Sequence, residues 1–311
     1  MTTTPRKLER IVVGTSLTEA SDAVVQSALA LQRATGARLA LVHAFPLPVV
    51  YGGGIYGGAA VTQQIDSDRR RYLLLVDAQL ERLGATREVF DEIRIEVAIG
   101  YRLLDDVAEE LGADLVVVGS HEGPKAFEPL LGSTADRLLR RSRRPVLVVR
   151  QALDAIRRVA LPVDLSPLSE TSARLGLGLV DAFAGDAAYS VGATFVLSRA
   201  EREGSVHFEP EQVDRFAQEE LDSFVARLEH SGIEATLLCG DPKQEILDHL
   251  SAQEDVDLVI LGTHGRSGFE RFLLGSVSSE LLRRLEHTAL VVPPASYDAD
   301  QAAAESDDAG D

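Results

Sequence analysis

The sequence predicts an α/β protein built as two doubly wound, five-stranded parallel-sheet domains with helices on both faces. Three observations lead there. Asp114–Val149 lies over Asp257–Val292 without a gap at an offset of 143, and 16 of the 36 positions are identical. Each copy alternates short β-branched runs with segments of helical spacing, the pattern of a parallel sheet covered on both sides. The chain has 311 residues and is 45% hydrophobic, enough for two cores at roughly 100–200 residues per domain. The expected divisions are residues 1–150, residues 151–295 and a tail, 296–311, too rich in Asp, Ala and Gly to build a core.

The elements follow in order. Ile11–Thr15 is a β-branched strand, and Ser21–Thr35 has helical spacing that stops at Gly36. Arg38–Ala44 is a second strand, followed by a glycine-rich loop, Tyr51–Ala60, and a long amphipathic helix, Asp66–Leu83. Strand Ile93–Ile99, helix Leu103–Leu111, strand Leu115–Gly119, helix Ser133–Ser142 and strand Val146–Val149 complete the first copy. The second copy repeats them as Val159–Val163, Glu170–Phe183, Thr194–Leu197, Gln212–His230, Ala235–Cys239, Gln244–Ala252, Leu258–Gly262, Ser276–Leu285 and Leu290–Val292.

Charge narrows the function. Residues 1–150 hold 19 basic and 19 acidic side chains, so the formal −18 falls wholly on residues 151–311. A field of that sign opposes bulk binding to nucleic acid or anionic lipid, but allows a local cationic pocket. Cys239 is the only cysteine, which excludes an intrachain disulfide and a cysteine-held metal. With no signal-peptide core and no apolar run near ~20 residues, the expectation is a soluble, cytoplasmic protein.

In open parallel sheets ligands bind beyond the carboxyl ends of strands, where the winding reverses. Gly262-Thr-His264-Gly265, nine residues and Gly275-Ser276 fall at that edge in the second copy. The glycines allow close backbone approach, while Gly275-Ser276-Val277-Ser278 offers amides and hydroxyls to an anion at a helix start. Arg266 and Arg271 add positive charge. A turn glycine with a serine cap would read the same way taken alone. Asp164, after Pro162 and Val163, could accept hydrogen bonds from a ligand or cap the following helix; the matching residue in the first copy is Ser16.

These residues resemble the universal stress protein family, whose nucleotide-binding members carry Gly-x2-Gly-x9-Gly-(Ser/Thr). Gly262, Gly265, Gly275 and Ser276 match it, and the likeness covers about 290 residues of the chain. The resemblance implies a Rossmann-like fold of the adenine nucleotide alpha hydrolase type and a tandem stress-response protein. It implies ATP, accompanied by Mg²⁺, in the second copy. Base and ribose would lie near Pro162, Val163 and Asp164, and phosphates on Gly265, Gly275, Ser276, Val277 and Ser278. It also implies pairing of the two copies through their final strands, Val146–Val149 and Leu290–Val292, and leaves a homodimer open. The first copy departs from the pattern: Glu122 replaces the second glycine, Ser16 the aspartate, and Tyr101-Arg102 the Asp241-Pro242 pair. It is therefore expected to be mainly structural.

Other motifs carry less. Gly52–Gly57 fits G-x-G-x-x-G literally, but Pro46 and Pro48 separate it from the preceding strand, against a dinucleotide fingerprint. His264 has no partner at metal-ligand spacing and reads as loop-shaping, and His43 reads as packing. The arginines of Arg140–Arg144 complement a helix C-terminus. No residue is an evident base or water-orienting group, so hydrolysis is expected to be weak at most. A slow ATPase and a docking platform that uses no nucleotide are the competing readings.

Overall fold

The computed structural model describes residues 7–47, 57–120, 131–204, 207–263 and 274–293, with side chains from residue 61 in the second stretch. The first half comprises β1 (Arg10–Gly14), α1 (Asp22–Thr35), β2 (Arg38–Phe45), α2 (Gly57–Arg82), β3 (Phe90–Val97), α3 (Gly100–Glu110), β4 (Leu115–Gly119), α4 (Ser133–Leu139) and β5 (Val146–Val149). The second half follows with β6 (Arg158–Val163), α5 (Pro167–Ala184), β7 (Ser190–Leu197), α6 (Arg199–Glu203), α7 (Pro210–Arg227) and β8 (Ile233–Cys239). It ends with α8 (Pro242–Ser251), β9 (Leu258–Gly262), α9 (Ser276–Arg284) and β10 (Thr288–Val292).

Within each half the strands are parallel, in the orders β3-β2-β1-β4-β5 and β8-β7-β6-β9-β10. Winding reverses between β1 and β4, and again between β6 and β9, which opens a crevice above each pair. β5 and β10 run antiparallel, Val146 facing Val291 and Val148 facing Ala289, so the two halves share one ten-stranded sheet. Pairing these two strands removes an apolar edge from each half. Thr288 Oγ1 also accepts from Arg150 N at 3.2 Å and donates to the Gln151 carbonyl at 3.1 Å.

Alternation along the strands explains the two cores. On β1, Ile11 and Val13 join the layer under α1, α2, α5 and α7, whereas Val12 joins the layer under α3, α4, α8 and α9. Both layers run across both halves. Gly176 of α5 lies so close to β9 that a Cβ there would sit 2.5 Å from Ile260 Cγ2. Overpacking costs about 1–3 kcal/mol and alanine regains ~1 kcal/mol of helix propensity. Gly176→Ala is therefore expected to destabilise the fold by up to about 2 kcal/mol, read as a lower thermal midpoint.

Most helix bounds shift by a few residues and β7 starts at Ser190 rather than Thr194; three further differences have a clear physical reason. α2 begins at Gly57 rather than Asp66, so the last part of the expected glycine-rich loop is helical. Extending a formed helix adds one bond per residue fixed, which carries it into Gly57–Ala60. β3 starts at Phe90 and stops at Val97, because Ile99 and Gly100 already turn into α3. α6 is an additional five-residue helix, closed by a capping box between Ser198 and Glu201.

Candidate functional site

The first strand of each half ends in the same strained turn. Leu17 and Leu165, the third residues beyond β1 and the second beyond β6, have φ of 61° and 62°. A leucine in the left-handed region costs about 1–2 kcal/mol and persists only where its surroundings hold it. At the second turn the holding bonds are visible. Asp164 Oδ1 accepts from Ser166 N at 3.0 Å, and Asp164 N donates to Ser169 Oγ at 3.3 Å. The helix cap itself is Ser166, which accepts from Ser169 N at 3.1 Å. Asp164 thus shapes the turn and Ser166 caps α5, which separates two roles that the sequence left together.

The start of α9 differs from an ordinary serine cap. Gly275 occupies the N-cap position, Ser276 is the first helical residue, and no side chain caps the helix. Among the described residues the first-turn amides have no side-chain acceptor, the condition under which a helix start receives an anion. Gly275 N donates to the Thr263 carbonyl at 2.6 Å, and Ser278 Oγ donates to the Gly262 carbonyl at 2.6 Å. Ser278 thereby staples α9 to the end of β9, a use of its proton that differs from the phosphate donor expected of it.

These elements enclose a cavity of about 350 Å³ above β6 and β9. Pro162, Val163, Asp164, Gly262, Gly275, Ser276, Val277 and Ser278 all line it. His264, Gly265 and Arg266 lie outside the described residues, as do Glu122 and Arg271. Sequence reasoning missed the side walls. Phe195 stands opposite Val163 in the β6–β7 ladder, and Ile246 and Leu281 face the cavity from α8 and α9. Glu201 closes another side; its carboxylate accepts from Ser198 Oγ at 2.7 Å and from Ser198 N at 3.1 Å. Only the Ser198-x-x-Glu201 spacing hinted at it.

Asp241, in the loop before α8, accepts from Lys243 N at 3.0 Å and Gln244 N at 3.1 Å. This cap sets Pro242, another cavity residue, at the first position of α8. Asp241→Ala is expected to cost about 1 kcal/mol of stability, measured by chemical denaturation.

The matching cavity of the first half is smaller, about 160 Å³, and is lined by Thr15, Ser16, Ser21, His43, Gly100, Gly132 and Thr134 among others. Beneath it lies a buried polar network. Thr15 Oγ1 donates to Gln79 Oε1 at 2.8 Å, and Gln79 Nε2 donates to Ser21 Oγ at 3.0 Å and to Asp22 Oδ1 at 2.9 Å. His43 shares a 2.9 Å hydrogen bond between Nδ1 and the Thr15 carbonyl and packs on Tyr72 at 4.7 Å. Arg140 and Arg144 close the end of α4, the first on Asp136 at 3.0 Å and the second on the Ala113 carbonyl at 2.8 Å. Among the described residues no group of three His, Cys, Asp or Glu side chains could hold a metal ion. No described helix is long and apolar enough to cross a membrane.

Comparison with known proteins agrees with this architecture. The universal stress protein family model matches twice, over residues 7–150 and 155–293. A universal stress protein of Mycolicibacterium smegmatis is 27% identical over 298 residues, covering 91% of this chain and 97% of the relative. One from Mycobacterium tuberculosis is 25% identical over 300 residues, covering 89% and 95%. The crystal structure of a universal stress protein from Archaeoglobus fulgidus superposes with a TM-score of 0.64 at 17% identity, covering 93% of this chain and 99% of that one. With two matches that together span nearly its whole length, the chain belongs to the universal stress protein family.

Proposed function

We propose that the second half binds ATP and that the protein acts as a nucleotide-responsive stress protein, with the first half mainly structural. The observation that carries this reading is the cavity above β6 and β9. It brings Pro162–Asp164 together with Gly262 and the uncapped start of α9 in about 350 Å³, within the ~300–1,000 Å³ range of small-molecule sites. Its two ends suit the two ends of a nucleotide. Val163, Phe195, Val196, Ile246 and Leu261 offer apolar walls to a purine, and Asp164 and Glu201 offer acceptors to base or ribose donors. Gly275, Ser276 and Val277 lie where amides can meet phosphate oxygens. Gly265 and Arg266 join them by the sequence pattern.

The net charge of this half makes such binding a short-range matter. Amides aimed at the phosphates must outweigh an unfavourable overall field, and Mg²⁺ carried on the phosphates would offset part of it. Among the described residues, Asp164 and Glu201 are the carboxylates lining the cavity, too few for an all-protein metal cage. Mg²⁺ would therefore arrive with the nucleotide and keep much of its water. None of the described cavity residues is placed as a base for water, which favours binding over turnover.

The test is direct. Purified protein should release adenine nucleotide on denaturation or take up ATP in equilibrium dialysis, without steady release of ADP. Absence of any ATP uptake would favour the docking platform, and many turnovers would favour an ATPase.

A further inference from the structure

The ten-stranded sheet ends on two edges, β3 in the first half and β8 in the second. Each edge strand leaves one row of backbone N–H and C=O groups without a ladder partner among the described strands. Such a row pairs readily with another strand unless something obstructs it. The repeat supplies an internal comparison, because the two edges occupy equivalent places in the two copies.

β3 is obstructed in two ways. Its pairing with β2 slips between Leu39 and Ala40, which leaves Asp91 bulged out of the ladder. Four of its eight residues are charged: Asp91, Glu92, Arg94 and Glu96. Arg94 is the hub. Within β3 it pairs with Glu92 and, at 4.0 Å, with Glu96, and it donates to Glu110 of α3 at 2.9 Å.

β8 carries neither device. It pairs with β7 without a slip, from Val191 opposite Ile233 to Leu197 opposite Cys239. Glu234 is its single charged residue, and it contains no proline. Through the ladders, Gly14–Val42–Arg94 of the first copy corresponds to Pro162–Thr194–Thr236 of the second. Thr236 thus stands at the hub position, and Leu238 stands where β3 has Glu96. Ala235 to Leu238 are only half-buried, and Cys239 is exposed.

We propose that β8 pairs antiparallel with β8 of a second copy of this chain, across a two-fold normal to the sheet. The fold's own junction points to this partner. At β5–β10 the two repeat copies already meet edge to edge and antiparallel, with α1 and α5 in one layer on the same side of the sheet. The same operation at β8 continues the sheet and both of its layers. A two-fold through Thr236 pairs all seven residues of the strand, setting Glu234 opposite the partner's Leu238 and Ile233 opposite the partner's Cys239. No like charges meet. The equivalent pairing of β3 would set Arg94 against Arg94 and Glu92 against Glu96, like charges directly opposed. Association therefore stops at two chains, because the remaining ends of the joined sheet are the obstructed β3 edges. The proposal does not depend on ATP binding.

Thiol crosslinking of the full chain tests it. In a Cys239→Ser background, Thr236→Cys sets two thiols across the axis, where opposed Cα atoms lie ~4.5–5.5 Å apart and a disulfide can close. Glu234→Cys in the same background is the control, because its two copies would be about 14 Å apart at ~3.4 Å rise per residue. Mild oxidation should give a covalent dimer of Thr236→Cys and little of Glu234→Cys. Sedimentation of the unaltered chain should show a dimer at micromolar concentration. Thr236→Arg, which restores the hub residue of β3, should raise the dissociation constant about tenfold or more with unchanged circular dichroism. A chain that stays monomeric throughout the micromolar range would overturn the proposal and leave the edge to a strand of another protein. A dimer that Thr236→Arg does not weaken, or equal crosslinking at positions 234 and 236, would also overturn it by placing the contact elsewhere.

Discussion

Gly265→Glu is expected to weaken ATP binding by about 100-fold. The substitution imports the residue that the first half carries at the matching position, Glu122. Two unit charges ~6 Å apart at an effective dielectric near 20 repel by about 3 kcal/mol, roughly two orders of magnitude in affinity. Gly265→Ala separates charge from bulk, because it adds a Cβ without a carboxylate and should lose far less. The comparison is made by titrating ATP with Mg²⁺ into both variants. Affinity within threefold of wild type in Gly265→Glu would remove the loop from the site.

The second large effect concerns the network under the first cavity. Gln79 is fully buried and bonds to Thr15, Ser21 and Asp22, with a longer contact to the Thr18 carbonyl at 3.5 Å. Gln79→Ala would leave several buried polar atoms unsatisfied at once. Each such loss costs about 1–3 kcal/mol before any relaxation, so a destabilisation of about 3 kcal/mol is expected. Part of it depends on pH. Burial raises the Asp22 pKa, but the hydrogen bonds from Arg82 and Gln79 and the Arg82 charge more than offset this, leaving it below the ordinary value. A lowered folded-state pKa contributes stability above the unfolded value and loses it as pH falls through the folded one. The gap between wild type and Gln79→Ala should therefore be widest near neutrality and shrink below about pH 4. Denaturant midpoints across that range measure it, and a gap independent of pH would contradict the role given to Asp22.

Much of this was legible in the sequence because buried parallel strands leave a strong trace. Runs such as Leu115–Gly119 and Leu258–Gly262 are apolar on both faces, and the repeat fixed their correspondence. The cavity edge was legible for the same reason, since strand ends and helix starts follow from the alternation. The side walls were not. Phe195 and Ile246 reach the cavity through strand register and helix packing, which no local pattern states. α6 is too short for helical periodicity, so Glu201 was visible only as half of a capping box. The left-handed turns at Leu17 and Leu165 were hidden because leucine seldom adopts them; both leucines pack in the core, and local bonds of Asp164 hold the second turn. Ser278 shows the opposite limit: it lines the cavity, but its hydroxyl donates to the Gly262 carbonyl.

Photoaffinity labelling with 8-azido-ATP tests the central claim most directly, because it reports which half holds the base. Label that ATP displaces should map to peptides carrying Val163, Phe195 or Ile246, one per chain. Displaceable label on peptides carrying Thr15, Ser16 or His43 instead would contradict the assignment of the two halves.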